Sequence, residues 1–417
     1  MLITHVKQLT PSVLTGILRF QGFLDDSGVV SSLRVIKTEE TDDSMTHQIA
    51  VRYEKVHSVK TSPLSLFLKI SKRDFPNADH EILFYTEMAP KMYAKHNSKV
   101  LPLPYCYDGY YDPDVGRSHL LIDNLAKNYF GAKAGSPPSE RHYTLVMEGL
   151  AHMHAYWWEN ADLAQYVQPP VYEGDQPITT TAPPEAPETQ AETPDTSTED
   201  SADAQNPEDA EAVPTVNNLA ATPEAPKTPP DEPIITTAML DAQFEAIQAQ
   251  YAAFLKPMQF KLTARHREIM DVITQRLPTQ RRQDWLAGKR VTLVHGDNSP
   301  ENFLYAFDNI KLIDWQRWGA GTGTDDVAYF IMAFASDVVR KFQERNLVQR
   351  YWDTLRSLGV KNYSWEQCWQ DYRASAGQAV LRVLMTWEPS LSQGVYWKRG
   401  ERALKAFDEL KAMELYD

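Results

Sequence analysis

The residues best suited to chemistry lie in two short stretches. Leu293 through Leu304 reads L-V-H-G-D-N-S-P-E-N-F-L, and Lys311 through Gln316 reads K-L-I-D-W-Q. A loop Asp, an Asn five residues later and an Asp at the end of a following strand are the groups that phosphoryl transfer asks for. An acceptor hydroxyl needs a carboxylate to orient it and take its proton, and a triphosphate needs Mg²⁺, a hard cation that prefers oxygen ligands. Asp297 is the expected base. Asn302 offers a neutral carbonyl oxygen and Asp314 an anionic one to Mg²⁺. A hairpin between Asn302 and Asp314 would bring those two together. Any one of these carboxylates alone is usually a turn former or a helix cap; the three at these spacings point to catalysis.

The pattern H-G-D-x-x-x-x-N followed by I-D-W resembles the Brenner-type motif of the aminoglycoside phosphotransferase and choline kinase superfamily. The D-W-Q ending, with Asp326-Val327-Ala328 further on, is similar to the ecdysteroid kinase-like branch. The resemblance implies an α+β, bilobal protein-kinase-like fold with a small β-rich lobe, a hinge and a larger helical lobe. It implies ATP and Mg²⁺ as cofactors and a small-molecule hydroxyl as acceptor. Lys69, in L-F-L-K-I, matches the family's strand lysine that contacts the α- and β-phosphates. Glu81, in H-E-I-L-F-Y, matches the helix glutamate that pairs with it, with Glu87 as an alternative. Ile122 and Asn124, in L-I-D-N-L, fall in the adenine-binding hinge, and Ala151 to Ala155 resembles the long helix behind the catalytic loop. Gly296 stands where protein kinases carry an Arg that reads activation-loop phosphorylation, which favours a small-molecule kinase. No standard glycine-rich phosphate loop is present; Gly22, Gly28 and Ser31 are the nearest candidates.

The elements that must position these residues can be read coarsely. Residues 11–70 read as strands, with Ser31–Ile36 and Ser65–Ile70 the clearest β-favouring runs. Ala78–Tyr93 and Ser139–Trp158 read as helices, and His119–Ile122 as a strand. A helix resumes around Leu240–Phe254, and another covers Thr263–Arg276 with Pro278 as its stop. Arg290–Val294 and Asn309–Ile313 are short strands, and the remainder from Asp325 reads as amphipathic helices. His295 is expected to brace the catalytic loop, and Asp326 to cap the helix that follows residues 319–323. Trp387 and Trp397 lie where the resemblance puts an acceptor pocket, though tryptophans are more often core. The expected units are a nucleotide-binding lobe (1–122), a hinge (123–127) and a helical lobe (128–172 and 234–417), with an insertion at 173–233.

That insertion carries the whole formal charge. The 417-residue chain has a net charge of −14, from 42 basic and 56 acidic residues. Between Glu173 and Pro233 there are 15 Asp and Glu, one Lys, 12 of the 27 prolines and no aromatic residue. Such a tract cannot bury enough apolar surface to offset its ordering entropy, so disorder is expected. The rest of the chain balances at 41 basic and 41 acidic groups. A general nucleic-acid binder or an adherent to anionic membrane would need clustered Lys and Arg. Two cysteines are too few for a disulfide framework, and no apolar run approaches a membrane span. The first 18 residues lack the basic and apolar regions of a secretory signal, so a cytoplasmic protein is expected.

Two rival readings stand beside the kinase. One is a nucleotide-binding pseudokinase or scaffold that uses the acidic insertion to dock a protein partner. The other is a metal hydrolase with His295 and Asp297 as ligands, for which the stretch offers no further ligands at suitable spacing. Replacing residues 173–233 by a short linker is expected to leave folding and turnover unchanged, because loop-closure cost grows slowly with length. Lost activity in a side-by-side assay of the two chains would show that the tract is more than an insertion.

Overall fold

A computed structural model describes residues 1–54, 62–73, 77–95, 101–131, 138–167, 233–387 and 393–416. The acidic insertion therefore lies outside the described residues, apart from Pro233. The N-terminal part is a five-stranded antiparallel sheet in the order β1-β2-β3-β5-β4. Its strands are β1 (Val29–Glu40), β2 (Ser44–Glu54), β3 (Ser65–Ser71), β4 (Cys106–Asp112) and β5 (Arg117–Asp123). Alternation decides what each face does. Leu66, Leu68 and Ile70 of β3 turn to the outer face and are buried; Phe67 and Lys69 turn to the inner face.

The outer face is covered by helix α1 (Pro11–Phe20), which corrects the reading of residues 11–70 as strands throughout. Thr10 caps this helix, accepting from Val13 N at 3.3 Å, and Pro11 sits in its first turn, where a missing N–H costs nothing. Leu14 and Leu18, four apart, pack with Ile3 and Leu9 onto Ile49, Val51, Leu66 and Leu68. The inner face meets helix α2 (Ala78–Leu83), which passes through a π-helical turn (Phe84–Met88) into α3 (Ala89–Lys95). Ile82, Phe84 and Met88 of this run share one hydrophobic core with the helical lobe.

The helical lobe comprises α4 (Glu140–Trp157), α5 (Thr237–Met258), α6 (Ala264–Gln280), α7 (Arg282–Leu286), α8 (Thr324–Tyr329), α9 (Asp337–Ser357), α10 (Trp365–Met385) and α11 (Gln393–Glu409). Pro278 does not stop α6, which runs on to Gln280. A proline removes the N–H that would satisfy the carbonyl four residues back. That carbonyl, on Thr274, instead accepts from Gln248 Nε2 of α5 at 2.8 Å. Helix α8 is buried on every side rather than amphipathic, and it carries Asp325 and Asp326 into the interior.

Among the described residues, five further short strands form two small sheets. β6 (Phe130–Gly131), β8 (Phe303–Tyr305) and β9 (Ile310–Leu312) form one sheet, while β7 (Val291–Val294) pairs with β10 (Gly319–Thr322). The expected hairpin is β8–β9. The earlier strand at 291–294 takes a partner beyond it. No helix among the described residues is long and apolar enough to cross a membrane.

Lys311 of β9 ties the lobes together. Its ammonium donates to the carbonyls of Leu101 (3.2 Å) and Leu103 (2.8 Å), and Leu312 N donates to Pro102 O at 2.6 Å. Burial pushes the Lys311 pKa down to about 8. The unfolded chain therefore binds a proton more tightly than the folded one, and stability tied to Lys311 rises as pH climbs from about 8 to 10.5. In denaturant titrations, wild type is expected to gain on Lys311→Met by up to about 3 kcal/mol across that window. Parallel curves for the two proteins would contradict this.

Candidate active site

The loop that carries Asp297 begins where β7 ends. All four β7 residues are buried, so the strand delivers His295 at a fixed point. Gly296 follows with φ +84°, and a Cβ built on it would meet Arg317 O at 1.8 Å. No side chain fits there, which gives a steric reason for glycine between His295 and Asp297. His295 is buried and accepts the Asp297 N–H at Nδ1 (3.1 Å). Its Nε2 therefore carries the proton and donates to Ile313 O at 3.0 Å. Burial lowers its pKa, against the pull of Asp326 and Asp297, so the ring is neutral as that pattern requires. His295 braces the loop, as expected.

Asn302 and Asp314 are brought together by the hairpin: Ile313 N donates to Asn302 O at 2.9 Å. Asn302 Nδ2 donates to Asp297 O at 2.6 Å, closing the loop on itself. Asp314 adopts φ +65°, a left-handed conformation that Asp tolerates better than most residues. One of its oxygens, Oδ1, accepts from Gln316 Nε2 and lies 3.7 Å from Lys69 Nζ. Among the described residues, nothing bonds to the Asp297 carboxylate, to Asn302 Oδ1 or to Asp314 Oδ2. Three acceptor oxygens on one loop and hairpin are thus left open, and those of Asn302 and Asp314 are hard donors of the type that Mg²⁺ prefers.

Lys69 Nζ sits 2.7 Å from Glu81 Oε2, whereas Glu87 is exposed, which decides between the two glutamates as partner. Burial alone would lower the Lys69 pKa, but Glu81 and Asp314 outweigh it and hold the ammonium protonated. Lys69, Glu81 and Asp314 are therefore one contact group. Ile122 and Asn124 lie apart from it, at the end of β5. Ile122 is a buried core residue, and Asn124 spends its side chain on Ser65 Oγ (2.6 Å) and Ala126 N (3.1 Å).

Gly22 and Gly28 lie between α1 and β1, and Ser31 lies on β1. The β1–β2 turn has no glycine and closes on itself through Thr41 N to Ser44 O (2.9 Å) and Ser44 N to Thr41 Oγ1 (3.0 Å). Trp387 and Trp397 are core: both are buried and pack around Phe254.

Asp326 caps nothing; α8 has no side-chain cap. Its carboxylate, fully buried, accepts His295 N at 2.6 Å and Gly296 N at 3.3 Å. Arg382 Nη1 (3.1 Å) and His154 Nε2 (3.4 Å) complete its partners, and Asn298 Nδ2 donates to its backbone carbonyl at 2.7 Å. Burial pushes the carboxyl up, but the His154 bond and the Arg382 charge win and hold it well below the ordinary range.

Two tryptophans connect this platform to α2. Trp315 stacks on Phe84 at 3.8 Å between centroids and meets His295 edge-on at 4.5 Å. Trp318, buried, donates its indole N–H to His80 O at 2.9 Å, one residue before Glu81. Neither contact was visible in the sequence, which shows aromatic residues but not what they meet. Trp318→Phe keeps the ring and loses the N–H. A net hydrogen-bond contribution of about 1 kcal/mol corresponds to a several-fold loss of nucleotide affinity, if the bond holds Glu81 on Lys69. Titration with ATP would read it; a lowered Tm with unchanged affinity would reduce Trp318 to packing.

Residues 55–358 match the model of the phosphotransferase enzyme family. No curated protein matches the sequence. Among solved structures, the choline kinase LicA from Streptococcus pneumoniae is similar at 12% identity and TM-score 0.39, over 91% of this chain and 94% of that one. An ethanolamine kinase from Plasmodium vivax is similar at 9% identity and TM-score 0.44, over 95% and 88%. An aminoglycoside phosphotransferase in complex with ADP and hygromycin B is similar at 14% identity and TM-score 0.40, over 91% and 93%.

Proposed function

The chain belongs to the phosphotransferase enzyme family, and from that premise we propose that it transfers the γ-phosphoryl group of ATP to a hydroxyl of a small molecule. The observation that carries the proposal is the Asp297 carboxylate, half-buried on a braced loop and without a bonding partner among the described residues. In the reaction the acceptor O–H gives its proton to Asp297 while its oxygen forms a bond to the γ-phosphorus. The bond from that phosphorus to the bridging oxygen breaks, and ADP leaves with the electron pair. Lys69, held by Glu81, meets the α- and β-phosphates, and the backbone around Ile122 and Asn124 takes the adenine.

Asn302 and Asp314 would hold Mg²⁺, which supplies charge neutralisation on the phosphate oxygens. Among the described residues no group of three or more His, Cys, Asp or Glu could hold a metal ion. That disfavours the hydrolase reading, which needs a fuller set of protein ligands. The pseudokinase reading is disfavoured by the engaged Lys69–Glu81 pair and the open acceptor oxygens.

Asp297→Asn is expected to lower kcat by about 10²- to 10⁴-fold, the usual contribution of a positioned base, with ATP affinity little changed. Isothermal titration with ATP and Mg²⁺, followed by ADP-release kinetics, separates the readings. Near-normal turnover in the variant would remove Asp297 from the mechanism, and binding without turnover in wild type would favour the pseudokinase.

A further inference from the structure

The chain leaves the sheet at Asp123, the last residue of β5, where the proposed adenine site begins. Three hydrogen bonds tie that residue to β4 and to the residue that leads into it. Asp123 N donates to Tyr105 O at 3.0 Å, Tyr105 N donates to Asp123 Oδ2 at 2.9 Å, and the Tyr107 hydroxyl donates to Asp123 Oδ1 at 2.8 Å. Each carboxylate oxygen thus accepts a bond from the same neighbouring strand. A neutral donor bonded to an ionised carboxylate makes one of the stronger hydrogen bonds. Tyr107 is buried, and burial beside Asp123 pushes its hydroxyl pKa up, so it stays a donor.

The partners of Asp123 are themselves held. Upstream of Tyr105, Lys311 grips the carbonyls of Leu101 and Leu103, and the Tyr93 hydroxyl bonds to Leu103 O (3.0 Å) and Pro104 O (2.9 Å). Gln21, just past α1, accepts from the Tyr105 hydroxyl at 3.2 Å and donates to Tyr107 O at 3.1 Å. Phe23 packs against both rings, with centroids 5.2 and 5.1 Å away. The next residue reaches the opposite way: Asn124 Nδ2 donates to Ser65 Oγ at the start of β3. Consecutive side chains therefore grip β4 and β3, one each, where the chain departs. A base read by main-chain groups gains affinity when those groups are held in place before it arrives.

We propose that Asp123 is a positioning residue for the nucleotide base: through Tyr105 and Tyr107 it fixes the end of β5, so that the backbone beyond it meets adenine in register. This rests on the adenine placement given above and adds the device that sets it. The carboxylate acts through the backbone and takes no part in bond making.

The test measures dissociation constants for ATP and CTP, each with Mg²⁺, by displacement of a fluorescent ATP from the full chain and its variants. The two nucleotides share ribose and triphosphate. A general loss of structure weakens both alike, whereas a displaced backbone costs the base alone. Wild type is expected to prefer ATP. Tyr107→Phe should weaken ATP by about tenfold and CTP by less than about twofold. Asp123→Ala should narrow the preference further. Asp123→Asn should recover it to within about threefold of wild type, because an amide can accept from Tyr105 N and donate to the Tyr107 hydroxyl. An unchanged ATP-to-CTP ratio in Tyr107→Phe or Asp123→Ala, an equal loss for both nucleotides, or a wild type without preference for ATP overturns the inference. The expected ratios without any ADP formation would overturn phosphotransfer and leave the inference standing. No nucleotide binding in wild type overturns the adenine placement and this inference with it.

Discussion

The site depends on one buried carboxylate. Asp326 collects the N–H groups of His295 and Gly296, so the backbone immediately before Asp297 has its donors satisfied from below. A carboxylate without solvent is costly unless its lone pairs are filled. Here Arg382 and His154 fill the remainder, and Tyr351 in turn orients His154 through a 2.8 Å hydrogen bond. Helices α4, α8, α9 and α10 therefore converge on one anion. The position of the loop is set by side chains from four helices.

From this anchor the order propagates upward in steps. His295 passes it to Ile313 and so to Asp314, Trp315 passes it to Phe84, and Trp318 passes it to His80. Each step joins segments far apart in sequence, and each uses a group with defined geometry: an imidazole tautomer, a stacked ring pair, an indole N–H. Lys69 then finds Glu81 and Asp314 both fixed from the helical side, although Lys69 itself belongs to the sheet.

How much of this was readable from sequence follows from separation along the chain. That Asp297, Asn302 and Asp314 meet on one loop and hairpin could be anticipated because they are close in sequence, and local spacing is what sequence displays. Glu81 needed the structure to be preferred over Glu87. Asp326 reads as a cap in the sequence because its true partners lie 30 and 31 residues upstream. Pro278 looked like a stop because the donor that replaces its missing N–H comes from Gln248, 26 residues from Thr274. Helix α1 carried a local signal, Thr10 before Pro11 with Leu14 and Leu18 four apart, that the β-favouring runs further on overshadowed. The fold class was sound because lobe identity depends on gross pattern, not on particular partners.

The division of the cores has a mechanical meaning. The outer face of the sheet closes on α1 as a small core of its own, while α2 and α3 share theirs with the helical lobe. By packing, the helix that carries Glu81 is a fixture of the lower body, and the sheet that carries Lys69 rides over it like a saddle. The Lys69–Glu81 pair, with one end on the sheet and the other on the helix beneath it, therefore stitches two separately packed bodies together at the point where Asp314 also arrives.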